Sequence, residues 1–237
     1  MGNPLGAVGT YVEVLRRRGA DPEVIGGLTR ELDRIDRIVR SLLDYARPQE
    51  EALELVQPSD IVQGAFTLLE AQGALKTVRP SLDVAHGVPL IRARAHLLEQ
   101  ALVNIVLNAV DAAQGAAVVV GVRRWAYEPG HAAPRRAVDP PPTLFPREPA
   151  RRPARAEFAA GVPGALLFVA DAGPGVPPED REKIFEPFYT TKAPGRGTGL
   201  GLAIVARAVH EMGGVVWVDP AREGGAAFKL FFPAATP

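Results

Sequence analysis

The sequence contains no cysteine, which excludes disulfides, thiol catalysis and cysteine-ligated zinc or iron–sulfur sites. Histidine is almost as scarce. His86, His96, His131 and His210 are scattered through 237 residues, and such dispersal gives no support to a histidine metal centre. No apolar run reaches the ~18–20 residues needed to cross a bilayer. No charged-then-apolar leader opens the sequence given, so the expectation is a cytoplasmic chain without a membrane segment. Neither sign of charge dominates, with 27 basic and 27 acidic residues. The absence of a global basic field argues against a nucleic-acid partner. What is present is ordinary for a globular protein: 47% hydrophobic and 23% charged residues, enough for one large domain or two small ones. Glycine (24) and proline (23) are abundant but unevenly placed.

Residues 1–48 read as a helical hairpin. Leu5, Val8, Val12 and Leu15 recur on one helical face, Pro4 suits a first helical position, and Arg16–Arg18 with Gly19 suit a helix end. Asp21-Pro22 starts a second helix. Its stripe of Leu28, Leu32, Ile35, Ile38, Val39, Leu42 and Leu43 opposes a charged face, and Pro48 ends it. Two such stripes cannot bury themselves, so the hairpin is expected to dimerise into a four-helix bundle. From residue 51 strands and helices mix. Strands are expected at Ala52–Val56, Arg79–Val84, Ala116–Val122, Ala165–Ala170, Val215–Val218 and Ala227–Phe232. Helices are expected at Ser59–Gln72, Arg94–Gln114 and Gly199–Met212. The fold class is α+β, a hairpin followed by an α/β sandwich over 51–237. Residues 123–160, rich in arginine and proline and without apolar periodicity, read as a solvated, disordered insertion. The chain holds 23 Arg against 4 Lys, so a tolerated insertion in an arginine-biased sequence accounts for this segment, and a basic docking arm is the alternative.

Four patterns carry the chemistry. Asn104, Asn108 and Asp111 stand at i, i+4 and i+7 on one face of a long apolar helix. Amides there need partners, because an unsatisfied one costs ~1–3 kcal/mol. A hydrated Mg²⁺ bearing nucleotide phosphates would supply them, as would an internal polar network. The second pattern is Asp171-Ala-Gly173-Pro-Gly175, a carboxylate at a strand end before a turn that lets a ligand approach the backbone. Such a carboxylate can accept from the exocyclic amine of adenine. The third runs from Lys183-Ile-Phe185-Glu-Pro-Phe188-Tyr-Thr-Thr-Lys192 through Arg196-Gly197-Thr198-Gly199-Leu200-Gly201. Its glycines free amides at a helix start, where anions bind; a hinge loop would use the same residues. The fourth is Glu223-Gly224-Gly225-Ala-Ala-Phe228, which by itself is a hairpin turn.

Taken in this order, the four patterns resemble the ATP-binding domain of sensor histidine kinases, within the wider fold group of gyrase, the Hsp90 chaperones and MutL. Phe-Glu-Pro-Phe-Tyr-Thr-Thr-Lys followed by Gly-Thr-Gly-Leu-Gly-Leu is most similar to the nitrogen-regulation type. The resemblance covers ~51–237 apart from the insertion, and the hairpin extends it to nearly the whole chain. It implies ATP and Mg²⁺ as cofactors, with Asn108 as the magnesium-binding asparagine and Asn104 as its catalytic helper near the phosphates. Asp111 joins the nucleotide set. Asp171 becomes the adenine reader, with Gly173 and Gly175 on the adenine side. Phe185 and Phe188 anchor the base of a lid that carries Lys192 and Arg196, and Gly197, Thr198, Gly199, Leu200 and Gly201 cradle phosphate. Gly224 and Gly225 match the last glycine motif. Its frequent threonine is Ala226 here, which removes one polar adenine contact.

The resemblance further implies a homodimer that passes the ATP γ-phosphoryl to a histidine and then to an aspartate on a response-regulator receiver domain. The family's hairpin opens His-Glu-x-x-Asn-Pro-Leu, whereas this sequence opens Met1-Gly2-Asn3-Pro4-Leu5. The acceptor position therefore falls two residues before Met1, and none of the four histidines replaces it. Truncation of the sequence and true loss of the histidine both account for this. Retained Asn3, which in the family positions water for dephosphorylating the regulator, favours truncation, although a helix N-cap suits it equally. Loss would leave an ATP-binding pseudokinase or phosphatase dimer. A serine kinase of the anti-sigma type shares the nucleotide fold, but the Asn-Pro-Leu hairpin argues against it.

Overall fold

A computed structural model of the chain describes residues 4–19, 21–29, 31, 32, 35, 52–128, 158–192, 197–222 and 224–235. The chain begins with helix α1 (Pro4–Arg17), which ends in Arg16 and Arg17. Arg18 and Gly19 donate back to Val14 and Arg16, and Gly19 takes φ 78°, the left-handed stop that only glycine adopts cheaply. A second helix, α2, covers 22–29 and includes 31, 32 and 35. Asp21 caps it by accepting from the Glu23 N–H at 2.8 Å. Val12 and Ile25 are buried, but Val8, Tyr11, Val14, Leu15, Val24, Leu28 and Ile35 stay exposed. Leu42, Leu43 and Pro48, which the sequence assigns to the same helix and its end, lie outside the described residues.

The remaining elements are β1 (Glu54–Val56), α3 (Pro58–Ala71), β2 (Arg79–Val84), β3 (Ile91–Ala93), α4 (Ala95–Ala112), β4 (Ala117–Ala126), β5 (Pro163–Asp171), two short 3₁₀ turns (Pro178–Asp180 and Lys183–Phe185), α5 (Gly201–Glu211), β6 (Val215–Pro220) and β7 (Ala226–Pro233). Strands β1 and β3 form a small antiparallel pair, and β2-β4-β5-β7-β6 form a five-stranded sheet in which only β2 and β4 run parallel. The three helices cover one face. Leu98, Leu102, Ile105 and Val106 of α4, with Val62 and Leu69 of α3 and Val205 and Val209 of α5, pack on Val118, Val120, Leu167, Val169, Leu230 and Phe232. This period-2 alternation is what half-buried strands require. Strand β2 is the open edge, exposed along almost its whole length and carrying Pro80. No described helix is long and apolar enough to cross a membrane.

The opposite face carries a second, smaller core of Tyr127, Leu166, Val215, Trp217 and Phe231, with Trp125, Phe158 and Val162 against it. This corrects the expected bounds of the insertion. Strand β4 continues through Arg123 and Arg124 to Ala126, paired with Pro163, and Tyr127 exchanges backbone bonds of 2.8 Å with Val162 and Gly161. Arg123 looked like loop because it is charged. Its guanidinium instead lies 4.3 Å from the centre of the Phe168 ring and 3.1 Å from Asp83, a stacked and paired position on the outer face. Phe158 closes the other side, its ring 5.3 Å from that of Phe231. Residues 129–157 lie outside the described residues. Strand β3, only three residues long, left no period to read.

Candidate functional site

Helix α4 delivers the first group of site residues. One of its faces is committed to the core, which turns the Asn104–Asn108–Asp111 face outward: the two asparagines are half-buried and Asp111 is exposed. Helix α5 packs beside it, with its first residue close by. A Cβ built on Gly201 would stand 3.9 Å from Asn108 Nδ2. Lys192 reaches in from the segment before α5, its ammonium 2.6 Å from Asp111 Oδ2 and 3.3 Å from Asn108 Oδ1. Before α5, the Thr198 hydroxyl accepts from the Leu200 N–H at 3.3 Å, and Leu200 is buried.

The second group sits at the end of β5. Asp171 is buried, and its Oδ1 accepts from the N–H of Gly173 at 2.9 Å and of Ala226 at 3.4 Å. Burial pushes its carboxyl above the ordinary value, and the two backbone donors pull partly back. Close backbone approach dictates the glycines. A Cβ on Gly173 would meet the Ala112 carbonyl at 2.8 Å, so this turn rests on the end of α4 beside Asp111. Gly175 has φ 78° and faces the Gly225 carbonyl, while Gly225 has φ 85° and presses on the Asp171 backbone. The two groups thus meet at the C-terminal end of α4.

Of the two phenylalanines before α5, Phe185 is buried with its ring 6.5 Å from Phe228. Phe188 departs from expectation. Its ring is 64% exposed, so it anchors nothing through its side chain. Its backbone is what is held: φ is 69°, and its N–H donates to the Gly199 carbonyl at 2.8 Å. Gly199 lies directly against that backbone, where a Cβ would collide. Gly224 has φ 87° in the turn before β7. Asn3 and Arg196 lie outside the described residues. Thr190 was not anticipated. Its hydroxyl accepts from the Lys192 N–H at 3.2 Å, a local turn whose only sequence signal was a hydroxyl two residues before the lysine.

The donor set suits a hydrated divalent cation with phosphate. Asn108 and Asp111 present side-chain oxygens that already hold one cation, the Lys192 ammonium. Among the described residues no three His, Cys, Asp or Glu side chains are grouped to hold a metal ion. Gly173, Gly175 and Gly225 let these turns pack backbone on backbone, where a Cβ would meet the main chain of Ala112, Gly225 or Asp171.

Residues 153–236 match the family model "Histidine kinase-, DNA gyrase B-, and HSP90-like ATPase". Those residues carry a domain of that ATPase family. The chain is homologous to sensor histidine kinases of two-component systems. It is 28% identical over 234 residues to the signal transduction histidine-protein kinase AtoS of Escherichia coli K12, covering 98% of this chain and 33% of AtoS. It thus spans about a third of that relative. The structure of full-length ShkA in complex with AMPPNP superposes with a TM-score of 0.64 at 25% identity, covering 99% of this chain and 44% of ShkA. The histidine kinase ThkA, solved with the response regulator TrrA, shares the fold at a TM-score of 0.62 and 19% identity, covering 98% and 58% of the two chains. The ATPase-family match begins at residue 153, so α4 with its asparagines precedes it; the AtoS alignment, over 98% of this chain, takes in α4 as well.

Proposed function

We propose that this chain is the transmitter region of a cytoplasmic sensor histidine kinase, a homodimer that binds Mg²⁺–ATP and serves phosphoryl transfer to a histidine and then to a receiver-domain aspartate. The observation that carries the reading is the convergence of α4, the start of α5, the Asp171–Gly173 turn and the Gly225 turn at one place. Asp171 accepts from the adenine amine through the oxygen that its backbone donors do not occupy. Gly173, Gly175 and Gly225 form the adenine-side turns, packed backbone on backbone beside Asp171. Gly197, Thr198, Gly199, Leu200 and Gly201 offer backbone amides to phosphate at the start of α5, with Lys192 and Arg196 adding charge. Asn108 holds the metal, with Asp111 beside it and Asn104 one turn away. Bound Mg²⁺ would neutralise phosphate charge and align the γ-phosphoryl for in-line transfer. The exposed apolar residues of α1 and α2 suit a partner hairpin. A receiver-domain partner is supported by the ThkA–TrrA complex, and Asn3 would assist its dephosphorylation.

Calorimetric titration with AMPPNP in Mg²⁺ tests the site. Asn108→Ala is expected to cost about 10–100-fold in Mg²⁺-dependent affinity, and unchanged affinity would remove Asn108 from the metal site. A second reading is a nucleotide-responsive dimer that acts on a regulator without autophosphorylation. Adding His-Glu ahead of Met1 separates the two. Acid-labile phosphate on the extended chain supports the kinase. Intact ATP binding without phosphate supports the second reading, and acid-stable phosphate would point to a serine kinase.

A further inference from the structure

We infer that Lys192 is a built-in counter-ion that occupies the magnesium position in the nucleotide-free chain and must leave Asn108 when the metal loads. The inference rests on the nucleotide-site reading above. Lys192 and its two oxygen partners are 81 and 84 positions apart in sequence, yet its ammonium sits on both. The lysine is held from two sides. Its N–H is bonded to the Thr190 hydroxyl at 3.2 Å. Gly197 lies along its stem, where a Cβ would stand 2.7 Å from Thr190 Oγ1 and 3.3 Å from Lys192 Cδ. The choice of cation also fits. This chain uses arginine 23 times and lysine 4 times, and a compact ammonium can take a metal's place between two oxygens where a planar guanidinium would not.

Mg²⁺ binds oxygens at about 2.0–2.1 Å, and a dication on Asn108 repels an ammonium that shares the same oxygen. Metal loading therefore releases Lys192 towards the phosphates. Position of the Phe188–Lys192 segment and metal occupancy become one equilibrium, and each must bias the other.

The test is ADP titration of the whole chain by calorimetry over a range of Mg²⁺ concentrations, with amide hydrogen exchange of residues 188–192 as a second readout. In Lys192→Met, metal-free ADP affinity should fall, while the Mg²⁺ concentration giving half its effect should drop roughly five-fold or more. Gly197→Ala, which keeps the charge but displaces the stem, should lower the Mg²⁺ requirement in the same direction. In the unaltered chain, Mg²⁺–ADP should speed exchange at the Lys192 amide. An unchanged Mg²⁺ requirement in Lys192→Met, with ADP still binding, overturns the inference and leaves the site standing. Failure of the unaltered chain to bind ADP overturns the site itself.

Discussion

The two ends of the β4–β5 pair are built from opposite materials. At one end, where Val118 faces Asp171, the neighbourhood is a buried carboxylate, three glycines and polar side chains from α4. At the other, where Ala126 faces Pro163, Tyr127, Phe158 and Phe231 pack ring on ring at 5.2–5.4 Å. The first end gives up side-chain packing so that backbone can approach backbone. The second closes the hairpin base with aromatic packing, so a long Arg/Pro-rich segment can interrupt the chain there, nine strand residues or roughly 30 Å from the glycine-rich end.

Three substitutions break or sharpen this contrast. The largest effect is expected from Asp171→Asn. An amide cannot serve both as acceptor to the adenine amine and in the existing backbone bonds without exposing its own donors, so ADP affinity should fall at least about 100-fold. Stability should not fall, because burial already disfavours the charge. The pH dependence follows from the same shift. The folded carboxyl has a raised pKa, so its contribution to stability is greatest at low pH and declines as pH rises through the folded value. ADP affinity runs the other way, weakening as pH falls through that value, and it should lose this dependence in the variant. Titrations across pH with thermal melts check both.

Phe231→Ala should act at the opposite end, costing about 3–5 kcal/mol of stability, measured by denaturant unfolding, while folded protein keeps its ADP affinity. A tenfold weaker affinity would mean that the two ends are coupled. The smallest effect is expected on replacing residues 129–157 with a short Gly-Ser turn. Loop closure changes by only about 0.6 kcal/mol per doubling of length, so melting temperature and ADP affinity should barely move. Loss of folding would show that those residues contribute to the outer core.

The glycine-rich end was legible because glycine announces a backbone that must approach something, and Asp171 stood at a strand end where it could be used. The asparagine face of α4 followed from helical spacing. The meeting of Lys192 with Asn108 and Asp111 was not legible, since only the packing of α4 against α5 brings such distant positions together. At the aromatic end the arginines misled. Arg123 reads as a solvated residue until Phe168 and Asp83 are seen beneath it. Phe188 misled in the other sense: an aromatic residue in a motif suggests a buried ring, whereas here the ring is exposed and a left-handed backbone is braced on Gly199.

The open edge strand β2 bears on how two copies could meet. A bare strand invites another chain to extend the sheet, and native proteins discourage this at their edges. Arg79 and Asp83 place charge along that margin, and Pro80 removes an amide donor from it, while β6 at the far margin is buried from Val215 to Val218. Sheet extension is thus disfavoured at the exposed margin. The exposed apolar residues of α1 and α2 are not blunted in this way.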